Sequence, residues 1–244
     1  MRMDDISTFI FPDNIGRYDI HSHIIPGVDD GARDIDESIE LIETAYNQGI
    51  RIIYATPHYS RRSSNMEIRD IFAKLQAELQ KRKPNTDMKL ILGHELVYHS
   101  ELAERLKSGE AFTMGESNKV LIEFSPMTEY RDMYRQLREL IQAGYVPIVA
   151  HMERYDALMD PDNVAELKHN GCLIQMNYSS LTGDGVTGIK APFGGRFSRE
   201  VKRCRRLVQS GYIDLFGTDM HRRDFRPPDT EDAVRWLKNN TEGT

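Results

Sequence analysis

The feature that most constrains this chain is an alternation. From about residue 17 onward, short apolar runs with strand character alternate with segments of helical period. Runs at 18–24, 51–58, 89–97, 119–124, 146–151, 172–178 and 213–218 read as seven strands. Segments at 34–48, 66–83, 100–107, 131–143, 161–170, 198–210 and 230–240 read as helices, and Asp34 three residues before Glu37 has the spacing of a capping pair. Nearly continuous apolar strands must be buried on both faces, and a helix after each strand covers a parallel sheet. The pattern therefore predicts an α/β chain whose strands close into a distorted (β/α)7 barrel of the TIM type. Residues 17–244 are expected to form one barrel domain behind an N-terminal extension at 1–16, a segment that suits a subunit or membrane-proximal contact. Such a barrel carries its active site at the C-terminal ends of its strands.

Those ends hold side chains that ligate metals. His21 and His23 close the first strand, His58 the second, Glu95 and Glu123 stand late in the third and fourth, His151 ends the fifth, and Asp219 and His221 follow the seventh. Residues i and i+2 of a strand share a face, so the His21/His23 and Asp219/His221 pairs each aim two groups at one point. Closing the barrel makes the first and seventh strands neighbours, and the two pairs then converge. Asp29 and Asp30 lie in the turn after the first strand, and Asp30 is expected to add one more ligand. A single residue of this set reads equally well as a polar group on a solvated rim, but their joint placement points to metal. Mixed imidazole and carboxylate donors suit Mn, Fe, Zn or Co better than Mg or Ca. His94 should face away from Glu95, His99 follows the strand and His169 lies within a helix, so these three are expected to be structural or on the surface.

Composition narrows the function. The chain has 244 residues, with 32 Lys+Arg against 38 Asp+Glu and a formal charge of −6, a balance unlike that of proteins that neutralise nucleic-acid phosphates. No apolar stretch is long enough for a membrane span and no signal peptide is read. Two cysteines, Cys172 and Cys204, make no disulfide framework, so a cytoplasmic location is expected. Neither cysteine is followed by the arginine of a thiol-phosphatase phosphate loop, because Tyr178 and Ser210 occupy the matching positions.

The ordered motifs DIHSHIIPGVDDGA (19–32), ATPH (55–58), GHE (93–95), LIEFS (121–125), AHMERY (150–155) and GTDMHRRDFRPP (217–228) resemble those of the PHP (polymerase and histidinol phosphatase) superfamily. More closely, they are similar to the metal-dependent protein-tyrosine phosphatases encoded in bacterial capsule and exopolysaccharide loci. The resemblance spans roughly residues 17–230. It implies a seven-stranded PHP barrel with three divalent ions, usually manganese. His21, His23, Glu95 and Asp219 would hold the first ion. Glu95 would bridge to a second, completed by Glu123 and His151, and Asp30, His58 and His221 would hold the third. Arg154 and Arg226 would bind phosphate.

The implied reaction is hydrolysis of phosphotyrosine by a metal-bridging hydroxide, and the implied partner is the tyrosine-rich cytoplasmic tail of a membrane tyrosine autokinase. The segments at 59–65, with Arg61 and Arg62, and 182–195 are the loops expected to receive that tail. The nearest rival is another PHP phosphoesterase such as a histidinol-phosphate phosphatase. An amidohydrolase lacks its usual strand-end lysine here, and a non-catalytic metal-binding scaffold is the alternative outside enzymology.

Overall fold

Among the described residues, eight short strands build the sheet framework: β1 (Tyr18–Ser22), β2 (Ile52–Ala55), β3 (Lys89–Leu92), β4 (Glu95–Val97), β5 (Lys119–Glu123), β6 (Val146–Val149), β7 (Leu173–Asn177) and β8 (Leu215–Gly217). The structure is a computed structural model that describes residues 6–60, 64–183 and 196–241. Arg61, Arg62 and most of the 182–195 segment lie outside the described residues. Every strand pairs in parallel with its sequence neighbour within two sheets, β1-β2-β3 and β4-β5-β6-β7-β8. The helices are α1 (Ile35–Asn47), α2 (Asn65–Arg82), α3 (Leu102–Ser108), α4 (Tyr130–Gln142), α5 (Pro161–His169), α6 (Arg196–Gln209) and α7 (Glu231–Thr241).

Two seams join the sheets. At one, Asp219 N–H donates to His21 O at 2.8 Å and His23 N–H to Met220 O at 2.9 Å, with Ser22 bridging Met220 in parallel. Asp19, fully buried, accepts Thr218 N–H at 2.8 Å and the Thr218 hydroxyl at 2.5 Å, which ties the ends of the chain's strand order together. At the other seam the single strand expected over 89–97 is broken in two. Gly93 N–H donates to Ala55 O and Glu95 N–H to Pro57 O, and Leu92 opposite Ala55 and Glu95 opposite His58 keep one register, so the ladder is interrupted only where Pro57 has no N–H to donate. Alternation with Glu95 turns His94 away from the cluster, where its Nδ1 accepts Phe112 N–H at 3.0 Å and its ring stacks on Phe112 at 4.5 Å.

Local sequence explains the helix starts. Asp34 accepts Glu37 N–H and caps α1, while Ser64 and Glu67 form a reciprocal capping box on α2. The Asp34/Glu37 pair completes only half of its box, because the Glu37 carboxylate instead takes the Arg33 guanidinium and backbone N–H.

One apolar cluster fills the barrel, from Ile20, Leu121, Ile122, Ile148 and Ile174 to Phe216, and a second, with Ile39, Ile42, Leu75 and Leu79, lies under α1 and α2. The segment before β1 joins the first cluster. Ile6 and Phe9 are buried, Phe9 stacks on Tyr18 at 4.9 Å, and Phe11 meets Phe216 edge-on at 5.5 Å. These rings lie toward the strands' N-terminal ends, leaving the opposite end to polar side chains.

Candidate metal centre

At the strands' C-terminal ends all nine expected ligands converge. Nε2 of His21 and Nε2 of His23 are 3.3 Å apart, each 3.3 Å from one oxygen of Glu95 and 3.6 and 3.4 Å from Asp219 Oδ1. His151 Nε2 lies 2.9 Å from Glu95 Oε1 and 3.4 Å from Glu123 Oε1. His58 Nδ1 lies 3.1 Å from Glu95 Oε2 and 3.9 Å from Glu123 Oε2. Asp30 Oδ1 reaches His58 Nε2 at 3.7 Å and His221 Nε2 at 3.5 Å. Three groups bring donor atoms within 4.8 Å of one another: His23, Asp30, His58 and His221; His21, His23 and Glu95; and His58, Glu95 and Glu123. His23 thus joins the Asp30 group and His58 the Glu123 group, so the three sets share members more than the motif resemblance implied. Glu95 is central, touching four imidazoles.

The neighbours of the imidazoles prepare them as ligands. His23 Nδ1 sits 2.8 Å from Asp29 Oδ2, His21 Nδ1 3.4 Å from Gln175 Oε1, His221 Nδ1 2.8 Å from the Asp219 carbonyl and His151 Nδ1 3.2 Å from the Tyr155 hydroxyl. In each, Nδ1 is engaged by an oxygen and Nε2 is turned to the cluster, the arrangement that fixes tautomer and orientation in metal sites. The donor chemistry therefore fits divalent ions of the Mn, Fe, Zn and Co type.

Electrostatics agree with a buried cluster of opposite charges. Burial raises the Glu95 carboxyl, but His21, His151 and His23 hold it well below the ordinary carboxylate range. Asp219 is likewise raised by burial and brought well below by His21 and Arg154. Burial pulls His151 down, yet Glu123 and Glu95 lift it to about 9. His221 is pushed down to about 4 by burial and by the neighbouring His23 charge.

Both arginines reach the same atom. Arg154 Nη2 and Arg226 Nη1 donate to Asp219 Oδ2, the latter at 2.8 Å, with Asn177 Nδ2 at 3.2 Å. Their side chains are 30% and 28% exposed, so both guanidinium groups meet the cluster at Asp219 while remaining partly open to solvent. His151, Asp219 and Arg226 have φ of +30°, +54° and +59°, a left-handed conformation costing non-glycine residues about 1–3 kcal/mol and concentrated at functional sites.

Sequence reasoning passed over five participants. Asp29, beside the expected ligand Asp30, orients His23 instead of facing the opening. Gln175 and Asn177 come from β7, which carries no ligand-type residue. Gln175 also accepts His151 N–H at 2.6 Å and donates to Asn177 at 2.9 Å. The Tyr155 hydroxyl accepts Phe124 N–H at 3.1 Å. Glu153 accepts Asn177 N–H and the Ser180 hydroxyl, bracing the turn that carries Arg154. The Gln175/Asn177 spacing matches that of His21/His23, and this alternation is the signal that marks both as inward-facing. His94 is buried and away from the cluster, and His169 is exposed on α5.

A protein-family model described as capsular polysaccharide synthesis, CpsB/CapC, matches residues 17–243. The chain belongs to the CpsB/CapC family. Among CpsB/CapC relatives, tyrosine-protein phosphatase CpsB of Streptococcus agalactiae serotype V is 35% identical over 223 residues, covering 89% of this chain and 88% of its own. Tyrosine-protein phosphatase YwqE of Bacillus subtilis is 30% identical, covering 90% and 83%. A solved structure from work on YwqE of Bacillus subtilis and CpsB of Streptococcus pneumoniae, described as unique metal-dependent tyrosine phosphatases, superposes with a TM-score of 0.77. It is 27% identical and covers 93% of this chain and 88% of that one. The phosphotriesterase homology protein of Escherichia coli shares the barrel fold with a TM-score of 0.59 at 13% identity, covering 95% and 94%.

Proposed function

We propose that this CpsB/CapC member is a cytoplasmic, manganese-dependent protein-tyrosine phosphatase acting on the phosphotyrosine-rich tail of a membrane tyrosine autokinase that regulates capsular or exopolysaccharide synthesis. The observation that carries the reading is the convergence of nine imidazole and carboxylate ligands beside two arginines that meet at Asp219. His21, His23, Glu95 and Asp219 would hold one ion, Glu95, Glu123 and His151 a second, and Asp30, His58 and His221 a third. Bound divalent ions supply Lewis-acid neutralisation of phosphoryl charge and lower the pKa of coordinated water toward about 7.

The chain's own residues supply the rest. Arg154 and Arg226 present planar guanidinium groups that pair bidentately with phosphate oxygens. Their contacts with Asp219 Oδ2 beside the ligands, together with their partial exposure, support this role. A tyrosyl oxygen leaves readily, with an ordinary pKa near about 10, so the site needs no strong general acid for it. Thiol chemistry is not available: Cys172 and Cys204 are buried, and burial pushes both thiols up to about 12, leaving almost no thiolate nucleophile near neutral pH. No helix among the described residues is long and apolar enough to cross a membrane.

The test is hydrolysis of a phosphotyrosyl peptide, histidinol phosphate and p-nitrophenyl phosphate by protein of known metal content. Peptide turnover that disappears on chelation and returns with Mn2+ is expected. Preference for histidinol phosphate would assign a small-molecule phosphoesterase, and full activity after metal stripping would remove the metal from the reaction.

A further inference from the structure

Helix α6 is the most basic element of an acidic protein. Its sequence RFSREVKRCRRLVQ sets Arg196, Arg199, Lys202, Arg203, Arg205 and Arg206 against a lone acid, Glu200, in a chain of formal charge −6. The apolar side is spent on the core, where Cys204, Leu207 and Val208 are 4%, 3% and 2% exposed. Arg205 is also committed inward, donating to Leu181 O at 3.0 Å with its guanidinium over Trp236.

Arg199, Lys202, Arg203 and Arg206 are exposed and follow the i, i+3, i+4, i+7 spacing of a single helix face. Arg203 donates to Met159 O at 2.5 Å. Arg199, Lys202 and Arg206 have no carboxylate within ion-pair distance among the described residues.

The location relates this row to the metal centre. The strands are parallel, so the helix between β7 and β8 begins at the end where the ligands converge and runs back along the barrel flank. Its basic row covers about 10 Å of that path, at 1.5 Å per residue. The α6 face packs beside the 151–159 segment that carries His151 and Arg154, as the Arg203 bond to Met159 shows. Of the row, Arg199 therefore stands nearest the ligand end of the helix and Arg206 farthest from it.

We propose that the exposed face of α6 is a docking surface for acidic residues of the polypeptide whose phosphotyrosine enters the metal centre. The inference rests on the phosphotyrosine reading above and adds the flanking chemistry that the enzyme selects. Charge complementarity favours this occupant: a single row of cations leading from the site matches an extended acidic segment. An amphipathic membrane-surface helix would need outward apolar residues to insert, whereas Cys204, Leu207 and Val208 of α6 are turned into the core. Such exposed charges act through encounter and register more than through deep burial, so the effect should fall as salt rises.

The decisive variant is R199E/K202E/R206E, which spares Arg203 and Arg205. Wild-type and variant protein of equal manganese content are compared on p-nitrophenyl phosphate and on phosphotyrosyl peptides flanked by Glu/Asp or by Lys. Binding of the unphosphorylated Glu/Asp peptide is followed separately by fluorescence anisotropy. We expect KM for the acidic peptide to rise by about tenfold at low salt, p-nitrophenyl phosphate turnover to stay within twofold of wild type (about 0.4 kcal/mol), and anisotropy binding to be lost. Equal KM changes for both peptides, or no change, overturn the proposal while leaving the phosphatase reading intact. So does a variant whose only defect is in co-sedimentation with phosphatidylserine vesicles, which would assign α6 to lipid. Failure of the wild-type protein to hydrolyse any phosphotyrosyl substrate would sink the phosphatase reading, and the anisotropy measurement would still decide whether α6 binds acidic peptide.

Discussion

Asp29 Oδ2 lies 2.8 Å from His23 Nδ1, and the same carboxylate accepts Gly31 N–H at 2.9 Å and His58 N–H at 3.0 Å. Burial raises this carboxyl, but the His23 hydrogen bond and charge bring it down to about 2. It is therefore ionised throughout the neutral range and holds one imidazole and two loop amides in place. Asp29→Asn removes the charge while keeping an acceptor. Orienting partners of this kind typically contribute 10–100-fold in metal affinity, so the variant is expected to need about tenfold or more manganese for half-maximal loading, measured by competition with a chromogenic chelator. Wild-type affinity in Asp29→Asn would show that His23 is positioned by the backbone alone.

Arg226 sits at φ +59° and donates to Asp219 Oδ2 at 2.8 Å. Lysine keeps the positive charge but has no planar fork, so it serves Asp219 as a point charge and loses paired contact with phosphate. Arg226→Lys is expected to retain metal content by elemental analysis and to lower kcat/KM for a phosphotyrosyl peptide by about 10–100-fold, about 1.4–2.7 kcal/mol of transition-state stabilisation. Inhibition by inorganic phosphate should weaken in parallel. A variant with normal phosphate inhibition would place Arg226 outside the phosphate subsite.

Much of this site is legible in the sequence because strand alternation and barrel closure are simple geometric rules. His21, His23, Asp219 and His221 can be brought together on paper once β1 and β8 are neighbours. Gln175 and Asn177 obey the same alternation, yet amides are not ligand types, and their value appears only when β7 is seen against His21 and His151. Asp29 and Asp30 are indistinguishable as adjacent acids; the turn geometry that buries one and leaves the other 65% exposed is a tertiary outcome. The division of the third predicted strand was hidden for a similar reason. Apolar periodicity runs unbroken through residues 89–97, while the interruption comes from the neighbouring segment, where Pro57 has no N–H to donate opposite Gly93.

Glu37 links the two loops that flank the site opening. It accepts Arg33 Nε at 2.9 Å, Arg33 Nη2 at 2.8 Å and the Arg223 backbone N–H at 3.3 Å. The Arg33 hydrogen bonds, working against burial, bring its carboxyl down to about 2. A depressed folded-state pKa means stability that is present above the unfolded value near about 4.5 and lost as pH falls through about 2. Glu37→Gln is expected to lower stability at pH 7 by about 1.5–3 kcal/mol, the range for hydrogen bonds to a charged group. It should also flatten the decline in denaturation midpoint between about pH 4.5 and pH 2. An unchanged slope in that window would show that other carboxylates dominate acid unfolding.

Gly217 tests whether the ligands are held by backbone packing as well as by hydrogen bonds. It ends β8, and a Cβ placed there would lie 2.7 Å from His21 Cβ, 3.1 Å from His21 N and 3.2 Å from Gln175 Nε2. The first two atoms belong to a fully buried strand whose seam with β8 is fixed by Asp19 and Thr218, so β1 has little freedom to retreat. Gly217→Ala must therefore displace His21, the Gln175 amide that orients it, or both. Overpacking of this kind costs about 1–3 kcal/mol, small enough for the barrel to remain folded, but a ligand shift of about 1 Å is enough to spoil a metal site. The expected variant is folded by circular dichroism, deficient in bound metal and at least about 100-fold less active. Near-wild-type metal content and turnover in Gly217→Ala would mean that the β1–β8 seam yields, and that the hydrogen bonds of Gln175 and Asp29 alone set the imidazoles.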